Sequence, residues 1–395
     1  MKRLLFDDPV DCAGCGLCSI VCPKKCITLK KDDLGFTIPY YADNSDCIEC
    51  GYCSRVCPQQ SNKQNEFLPT TVLYGQSKNE TELSESASGG VFSLLARHVL
   101  SLGGVVWGVA MSPIGEAFFT CISNIEDLSK LRGSKYVEVK RPLDYQKIRE
   151  QLQTGLWVLV SGTPCQVSAL NNYLKIKYDR LILVDLLCYG IQSPQMWQSY
   201  LKEVAHGRLI KKISMREKSE SWENYSMEIL FNDGTSYKCS RWYDPWLLTY
   251  SKSIFNRASC SRCQSKKFPH ISDFTIGDFW VYDEYKGHIE MDKNKGISVI
   301  YLHSNKARMI FDYVKDYLVF DKLSEDITKT LHVPYTKSFP IHKKREKFIK
   351  SVPKIGFKKT QRKYVDYGNV LLFKRKHAKE INAIKDFVKF LIRRK

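Results

Sequence analysis

The stretch WVLVSGTPCQVSALNNYL, residues 157–174, sets an apolar run, a Gly-Thr-Pro turn and a helical pattern in immediate succession, with Cys165 at the junction. An unbroken apolar run reads as a strand buried on both faces, and the helix after it as a crossover. The same order recurs. LILVDLLC (181–188) is followed by a turn through Gly190 and Pro194 and then by the helical MWQSYLKEVA. Ser88-Gly89-Gly90 precedes the helical VFSLLARHVL, and GGVVWGVAM (103–111) reads as a further strand. Buried strands alternating with helices predict a mostly parallel α/β sheet within residues 72–340. Residues 209–238 differ. KKISMREK and YSMEILFNDGTSYKC read as antiparallel strands, with Asp233-Gly234 as a hairpin turn, and predict an added β-layer.

Ahead of this body, Cys12-x2-Cys15-x2-Cys18-x3-Cys22-Pro23 recurs as Cys47-x2-Cys50-x2-Cys53-x3-Cys57-Pro58. Such a run wraps a tight loop around one iron–sulfur cube, and its fourth cysteine ligates the neighbouring cube. Cys12, Cys15, Cys18 and Cys57 are therefore expected to hold one 4Fe–4S cluster, and Cys47, Cys50, Cys53 and Cys22 the other. This predicts a bacterial-type two-cluster ferredoxin domain over residues 1–64. Paired zinc sites usually show two well-separated cysteine pairs, unlike these dense runs. Cys26 fits no ligand slot and reads as a buried thiol. The polar QQSNKQNEFLPT (59–70) marks a linker.

Six cysteines remain: Cys121, Cys165, Cys188, Cys239, Cys260 and Cys263. A single C-x2-C, as at 260–263, suits a redox dithiol, half a zinc site or half a cluster site. Cys165 and Cys188 each follow a predicted parallel strand, at the edge where open α/β sheets bind ligands. Cys165 also opens a helix, whose N-terminus favours a thiolate. Free cysteines are commonly inert small hydrophobes. Two at equivalent strand ends beside a C-x2-C favour a third cluster. Cys121 and Cys239 lack such a context and read as structural.

The chain has 395 residues, enough for two or three domains, and 43% hydrophobic content marks it as globular. No apolar run is long enough for a membrane span, and MKRLLFDDPVDCAGC has no signal-peptide core. A cytoplasmic location is expected. Fifteen cysteines in that compartment argue for metal or redox chemistry over disulfides. Most of the net charge of +19 falls in residues 341–395, which hold 19 Lys/Arg against 4 Asp/Glu. There Ile381, Ile384, Phe387, Val388 and Leu391 predict a basic amphipathic helix. It is expected to pack on the core or a second subunit, to touch an anionic membrane surface, or to dock an acidic redox partner. No nucleic-acid role is expected.

SASGGVFSLLA (86–96), RGSKYVEV (132–139), SGTPCQV (161–167), DLLCYGIQSP (185–194), CSRC (260–263) and SDFTIGDFW (272–280), behind the ferredoxin head, resemble the coenzyme F420 hydrogenase/dehydrogenase beta-subunit family over roughly residues 1–300. The resemblance implies FAD and a third 4Fe–4S cluster in the large domain, with Cys165, Cys188, Cys260 and Cys263 as ligands. It implies electron flow between clusters, flavin and an organic substrate such as a deazaflavin. Ser88, Gly89 and Gly90 at a helix start form a candidate anion cradle, the alternative being an ordinary N-cap. Ser134, Lys135 and Tyr136 lie in a loop that the family carries, with Lys135 as a candidate partner for a phosphate or an anionic flavin ring. Arg216, Lys218 and Trp222 follow the family's pattern; a basic pair beside an aromatic suits an acidic planar substrate. Asp273, Asp278 and Trp280 are read as orienting the loop after Cys263. Tyr189 stands where the family often has His, and His270 near where an Arg is common. No strand is followed by a G-x-G-x-x-G or Walker motif, so a nicotinamide Rossmann site is not expected, and no residue stands out as a proton donor. The reading is an iron–sulfur flavoprotein oxidoreductase whose partner is a redox protein or a small organic donor or acceptor. The alternative is a non-catalytic electron-transfer subunit wired to a partner enzyme.

Overall fold

The computed structural model describes residues 5, 11–41, 47–60, 70–267, 270–285, 287, 289–324, 338–365, 377 and 380. In the head, β1 (Ile27–Lys31) and β2 (Thr37–Tyr41) form an antiparallel hairpin. Two short helices, Leu17–Val21 and Tyr52–Arg55, carry the middle of each cysteine run. Both begin after a glycine in the left-handed region, Gly16 (φ 77°) and Gly51 (φ 67°), a backbone that residues with a Cβ rarely adopt.

The body follows as β3 (Thr71–Ser77), β4 (Val105–Met111), β5 (Ala117–Ile122), β6 (Val158–Gly162) and β7 (Leu181–Leu186). The chain then leaves the sheet through β8 (Ile210–Glu217), β9 (Ser226–Phe231) and β10 (Ser236–Ser240), an antiparallel three-stranded layer. It returns as β11 (Phe274–Asp278), β12 (Ser298–Leu302) and β13 (Leu318–Lys322). The main sheet has eight strands in the order β13-β3-β12-β11-β7-β6-β4-β5. Burial alternates along the central strands. Val158 and Val160 join the core on one face and Leu159 the other, and Leu181 and Leu183 likewise oppose Ile182 and Val184. A strand buried on both faces is why these segments read as unbroken apolar runs.

The expectation of a mostly parallel sheet is corrected. Only β4, β6, β7 and β11 run parallel, and the flanking pairs β4–β5, β11–β12, β12–β3 and β3–β13 are antiparallel. The link from β4 to β5 is too short for a parallel crossover. At the parallel centre the turn chemistry matches the sequence. Thr163 and Gln166 form a reciprocal capping box over the helix Pro164–Leu174, and Ser193 caps the helix Pro194–Ala205.

Beyond residue 340 the chain continues into the body. Phe348 and Val352 of the helix Arg345–Ile355, and Phe357 and Val365 of Phe357–Val365, share one core with Trp197, Tyr200, Trp246 and Phe255. Glu203 accepts the backbone N–H groups of Phe357 and Lys358. The amphipathic stretch from Ile381 to Leu391 lies outside the described residues. Among the described residues no helix is long and apolar enough to cross a membrane.

Candidate functional site

The carboxyl ends of β4, β6, β7 and β11 open into a cavity of about 620 Å³, where parallel α/β sheets place ligands. Its wall includes Gly162 at the end of β6 and Cys165 after it, Leu187 and Cys188 after β7, and Gly277 and Asp278 of β11. Ala13 and Gly14 of the head also line it, so the cavity lies between the two units.

Cys165 occupies the first turn of the helix after β6, and Cys188 stands two residues past the end of β7. Cys260 lies in the single turn Ala258–Arg262, and Cys263 follows it. Electrostatic coupling links every pair among these four thiols. Burial, with mutual repulsion added, pushes Cys165, Cys260 and Cys263 up to about 11 and Cys188 higher still. The Gly190 N–H donates to Cys188 Sγ at 3.3 Å, and the Thr163 hydroxyl lies 3.2 Å from Cys165 Sγ. Buried thiols that oppose one another's ionisation suit a cationic iron–sulfur core, which takes thiolates and expels their protons. Among the described residues no group of three or more His, Cys, Asp or Glu side chains is gathered closely enough to hold a single metal ion.

Cys12, Cys15, Cys18 and Cys57 line a small void of about 10 Å³, together with Leu17 and Leu29. Here too every pair is electrostatically coupled. Burial first, then neighbouring thiols, pushes Cys15 and Cys18 well up. In the second set, Cys47 and Cys50 are exposed, Cys53 and Cys47 face Tyr41, and Cys22 Sγ accepts the Cys26 N–H at 3.3 Å. Cys26 itself is buried.

Ser88, Gly90, Ser134, Lys135 and Tyr136 all line the cavity; Gly89 does not. The Gly89 N–H donates to Ser298 Oγ at 2.9 Å, and a Cβ there would lie 2.7 Å from the Ser298 nitrogen. Gly89 thus lets the turn pack against the sheet. Gly90 (φ 83°) is the N-cap of the helix Val91–Ser101, whose first residues border the cavity. Lys135 donates to the carbonyls of Leu131 and Arg132 at 3.1 and 2.6 Å, and burial pushes it down to about 7. Tyr136 stacks on Tyr250 with ring centroids 4.1 Å apart.

The three residues read as substrate contacts separate. Arg216 lines the cavity and donates from Nη1 to Asp278 at 2.6 Å. Its Nε and Nη2 are buried with no partner. Lys218 does not reach the cavity. Its ammonium donates to the carbonyls of Leu83, Ser88 and Lys295, which ties the Ser88 turn to the β-layer. Trp222 is fully buried, stacks on Trp280 at 4.3 Å and donates to Asp278 Oδ1 at 3.1 Å. It braces the carboxylate that holds Arg216. His270 is buried against Asp185 and Thr275, outside the cavity lining, whereas Tyr189 lines the cavity and stacks on Phe339. Sequence reasoning missed Gly14, Tyr225, Arg241, Tyr250 and Phe339, which also line the cavity. It also missed the buried pair Glu138–Arg257. The available signals were Glu138 inside RGSKYVEV and Arg257 three residues before Cys260.

Residues 156–326 match the family described as the C terminus of the coenzyme F420 hydrogenase/dehydrogenase beta subunit, and residues 11–61 match the 4Fe-4S dicluster domain. The chain is thus similar to the coenzyme F420 hydrogenase/dehydrogenase beta-subunit family over residues 156–326, behind an N-terminal stretch similar to dicluster ferredoxin domains. It is 28% identical over 187 residues to a subunit of the F(420)H(2) dehydrogenase of Methanosarcina mazei. That match covers 45% of this chain and 53% of the relative, so the chain spans about half of the relative's length. It is also similar to a chain of the F420-reducing NiFe hydrogenase complex from Methanosarcina barkeri, at 18% identity and a TM-score of 0.45, over 74% of this chain and 96% of that one.

Proposed function

We propose that this chain is an iron–sulfur flavoprotein oxidoreductase, with two 4Fe–4S clusters in the head, a third held by Cys165, Cys188, Cys260 and Cys263, and FAD in the cavity. When bound, the clusters carry single electrons and the flavin exchanges electron pairs with an organic substrate of the deazaflavin class. One observation carries the reading. Arg216, whose Nε and Nη2 are buried without a hydrogen-bond partner, lines the same cavity as Cys165, Cys188 and the head residue Gly14. Buried donors are normally satisfied, so an acceptor-rich ligand is the natural occupant.

The chain's own groups divide the work. Arg216 meets acceptor atoms of the flavin or substrate, and Asp278, braced by Trp222, fixes the guanidinium. The helix start at Gly90 and Ser88 offers amides to phosphate. Lys135, which lines the cavity and is pushed down to about 7 by burial, adds a charge there that changes near neutral pH. The relative in Methanosarcina mazei is one subunit of a dehydrogenase, and a redox partner protein is proposed here likewise. Cytoplasmic location remains part of the proposal. Anaerobically purified full-length protein tests it. Bound FAD with deazaflavin or dye reduction supports the enzyme. Clusters without flavin, with turnover only in a partner's presence, would replace it by the electron-transfer subunit.

A further inference from the structure

Between the head and body thiol sets lies one buried cation. Arg257 is only 3% exposed, and its guanidinium is used on all sides. Nη1 donates to the Cys12 carbonyl at 2.8 Å, Nη2 to the Thr37 carbonyl at 2.8 Å, and Nε and Nη2 to Glu138 Oε2 at 3.0 and 2.5 Å. The other Glu138 oxygen accepts the Thr37 N–H at 2.6 Å. The Arg257 carbonyl in turn accepts the Cys260 N–H at 3.0 Å. Ser259 adds a second link to the Cys12 carbonyl at 2.9 Å. A residue in the first thiol set is thus joined to a residue in the third through one side chain and two hydrogen bonds. Gly14 makes room for it: a Cβ there would lie 2.7 Å from Arg257 Nη2.

The charge is directed as well as the contacts. The guanidinium donates to the Cys12 carbonyl while the Arg257 carbonyl holds the Cys260 N–H, so the cation sits between the two thiol sets. Glu138, the counter-charge, lies on the head side, bonded to Arg257 and to the Thr37 N–H. A planar, always-charged guanidinium in a dry interface keeps both its geometry and its field. Among the head cysteines, Cys47 and Cys50 are exposed while Cys12 and Cys18 are buried, so the outer set meets an external donor first.

We propose that Arg257 is the positioning residue through which an electron passes between the Cys12/Cys15/Cys18/Cys57 cluster and the Cys165/Cys188/Cys260/Cys263 cluster, its cation favouring the reduced state of both. The inference rests on the reading that both sets hold clusters. One electron leaves the reduced head cluster and one arrives at the body cluster. No bond is made or broken, no proton crosses, and the electrons come from an external one-electron reductant.

The test uses the full chain, purified anaerobically, with dithionite titrations followed by electron paramagnetic resonance and iron counted per chain. A Cys165→Ser variant identifies the body signal. Arg257→Gln is expected to lower both midpoint potentials. Glu138→Gln is expected to raise that of the Cys12 set, with iron per chain at the parental value. Arg257→Lys keeps the charge and is expected to hold both potentials near the parent. Its shorter reach loses part of the fork and slows reduction of the body cluster. A purely structural clamp would shift the Arg257→Gln and Glu138→Gln potentials together or leave both unchanged, and either result overturns the proposal. If Arg257→Gln loses its iron, the Glu138→Gln and Arg257→Lys titrations decide alone. A parent chain without a body signal sinks the three-cluster reading itself, a different failure from unchanged potentials.

Discussion

Replacing Arg216 by Gln keeps much of its volume and removes its charge and fork. Two separable losses follow. In the ligand-free protein the change breaks the Arg216–Asp278 ion pair, whose arginine side chain is 3% exposed. Removing one partner of a buried pair costs about 3–5 kcal/mol. Asp278 is a fifth exposed and retains the Trp222 N–H at 3.1 Å, so the low end, about 3 kcal/mol, applies. An Arg216→Gln/Asp278→Asn pair should recover part of that loss, because no lone charge remains. The second loss appears only with ligand. The Nε and Nη2 donors have no protein partner, and hydrogen bonds from a charged donor are worth about 1.5–3 kcal/mol each. Two of them predict a fall in FAD affinity of about 10²–10⁴-fold. Thermal unfolding without FAD reads the first term. Fluorescence titration of FAD into deflavinated protein reads the second. If the single variant binds FAD within about threefold of the parent while remaining folded, Arg216 does not face the flavin.

Other outcomes follow from the same contacts. FAD affinity should weaken as pH rises through about 7, because Lys135 is charged below that value and neutral above it; titrations of Lys135→Gln across pH 6–9 should lack that inflection. Gly89→Ala should destabilise the fold by about 1–3 kcal/mol or more in denaturant unfolding, since its Cβ would press on the backbone of β3 and β12. Phe357→Ala should cost about 3–5 kcal/mol in the same assay, because Phe357 is fully buried among Tyr200, Trp246, Phe255 and Phe348. A change near zero there would mean that the helix after residue 356 is not part of the body core.

The parallel centre was legible because β6 and β7 are buried on both faces and each is followed by a turn with a capping residue and proline, at Thr163-Pro164 and Ser193-Pro194. The antiparallel flanks were not. TVLYGQS contains a glycine and a glutamine, and it sits between β12 and β13 only because Gly75 allows Val319 and Phe320 to approach closely. The cysteine runs announced the head through spacing alone, since ligand loops are local. The cavity was half legible. Cys165, Cys188 and Arg216 carry chemistry in their side chains, but Lys218 and Trp222, chosen for the same reason, face inward to carbonyls and to Trp280. Periodicity cannot separate Arg216, near the end of β8, from Lys218 just beyond it, where the strand alternation stops. Arg257 and Glu138, 119 residues apart in sequence, meet only in the tertiary fold.

The central claim is that four body thiols, spread from residue 165 to residue 263, hold one cluster beside a flavin. Iron, sulfide and flavin quantified per chain after anaerobic purification test it most directly, in the parent and in Cys165→Ser. Three cubes predict about 12 iron atoms in the parent, with one FAD, and about 8 in Cys165→Ser. About 8 iron atoms in both proteins would contradict the account.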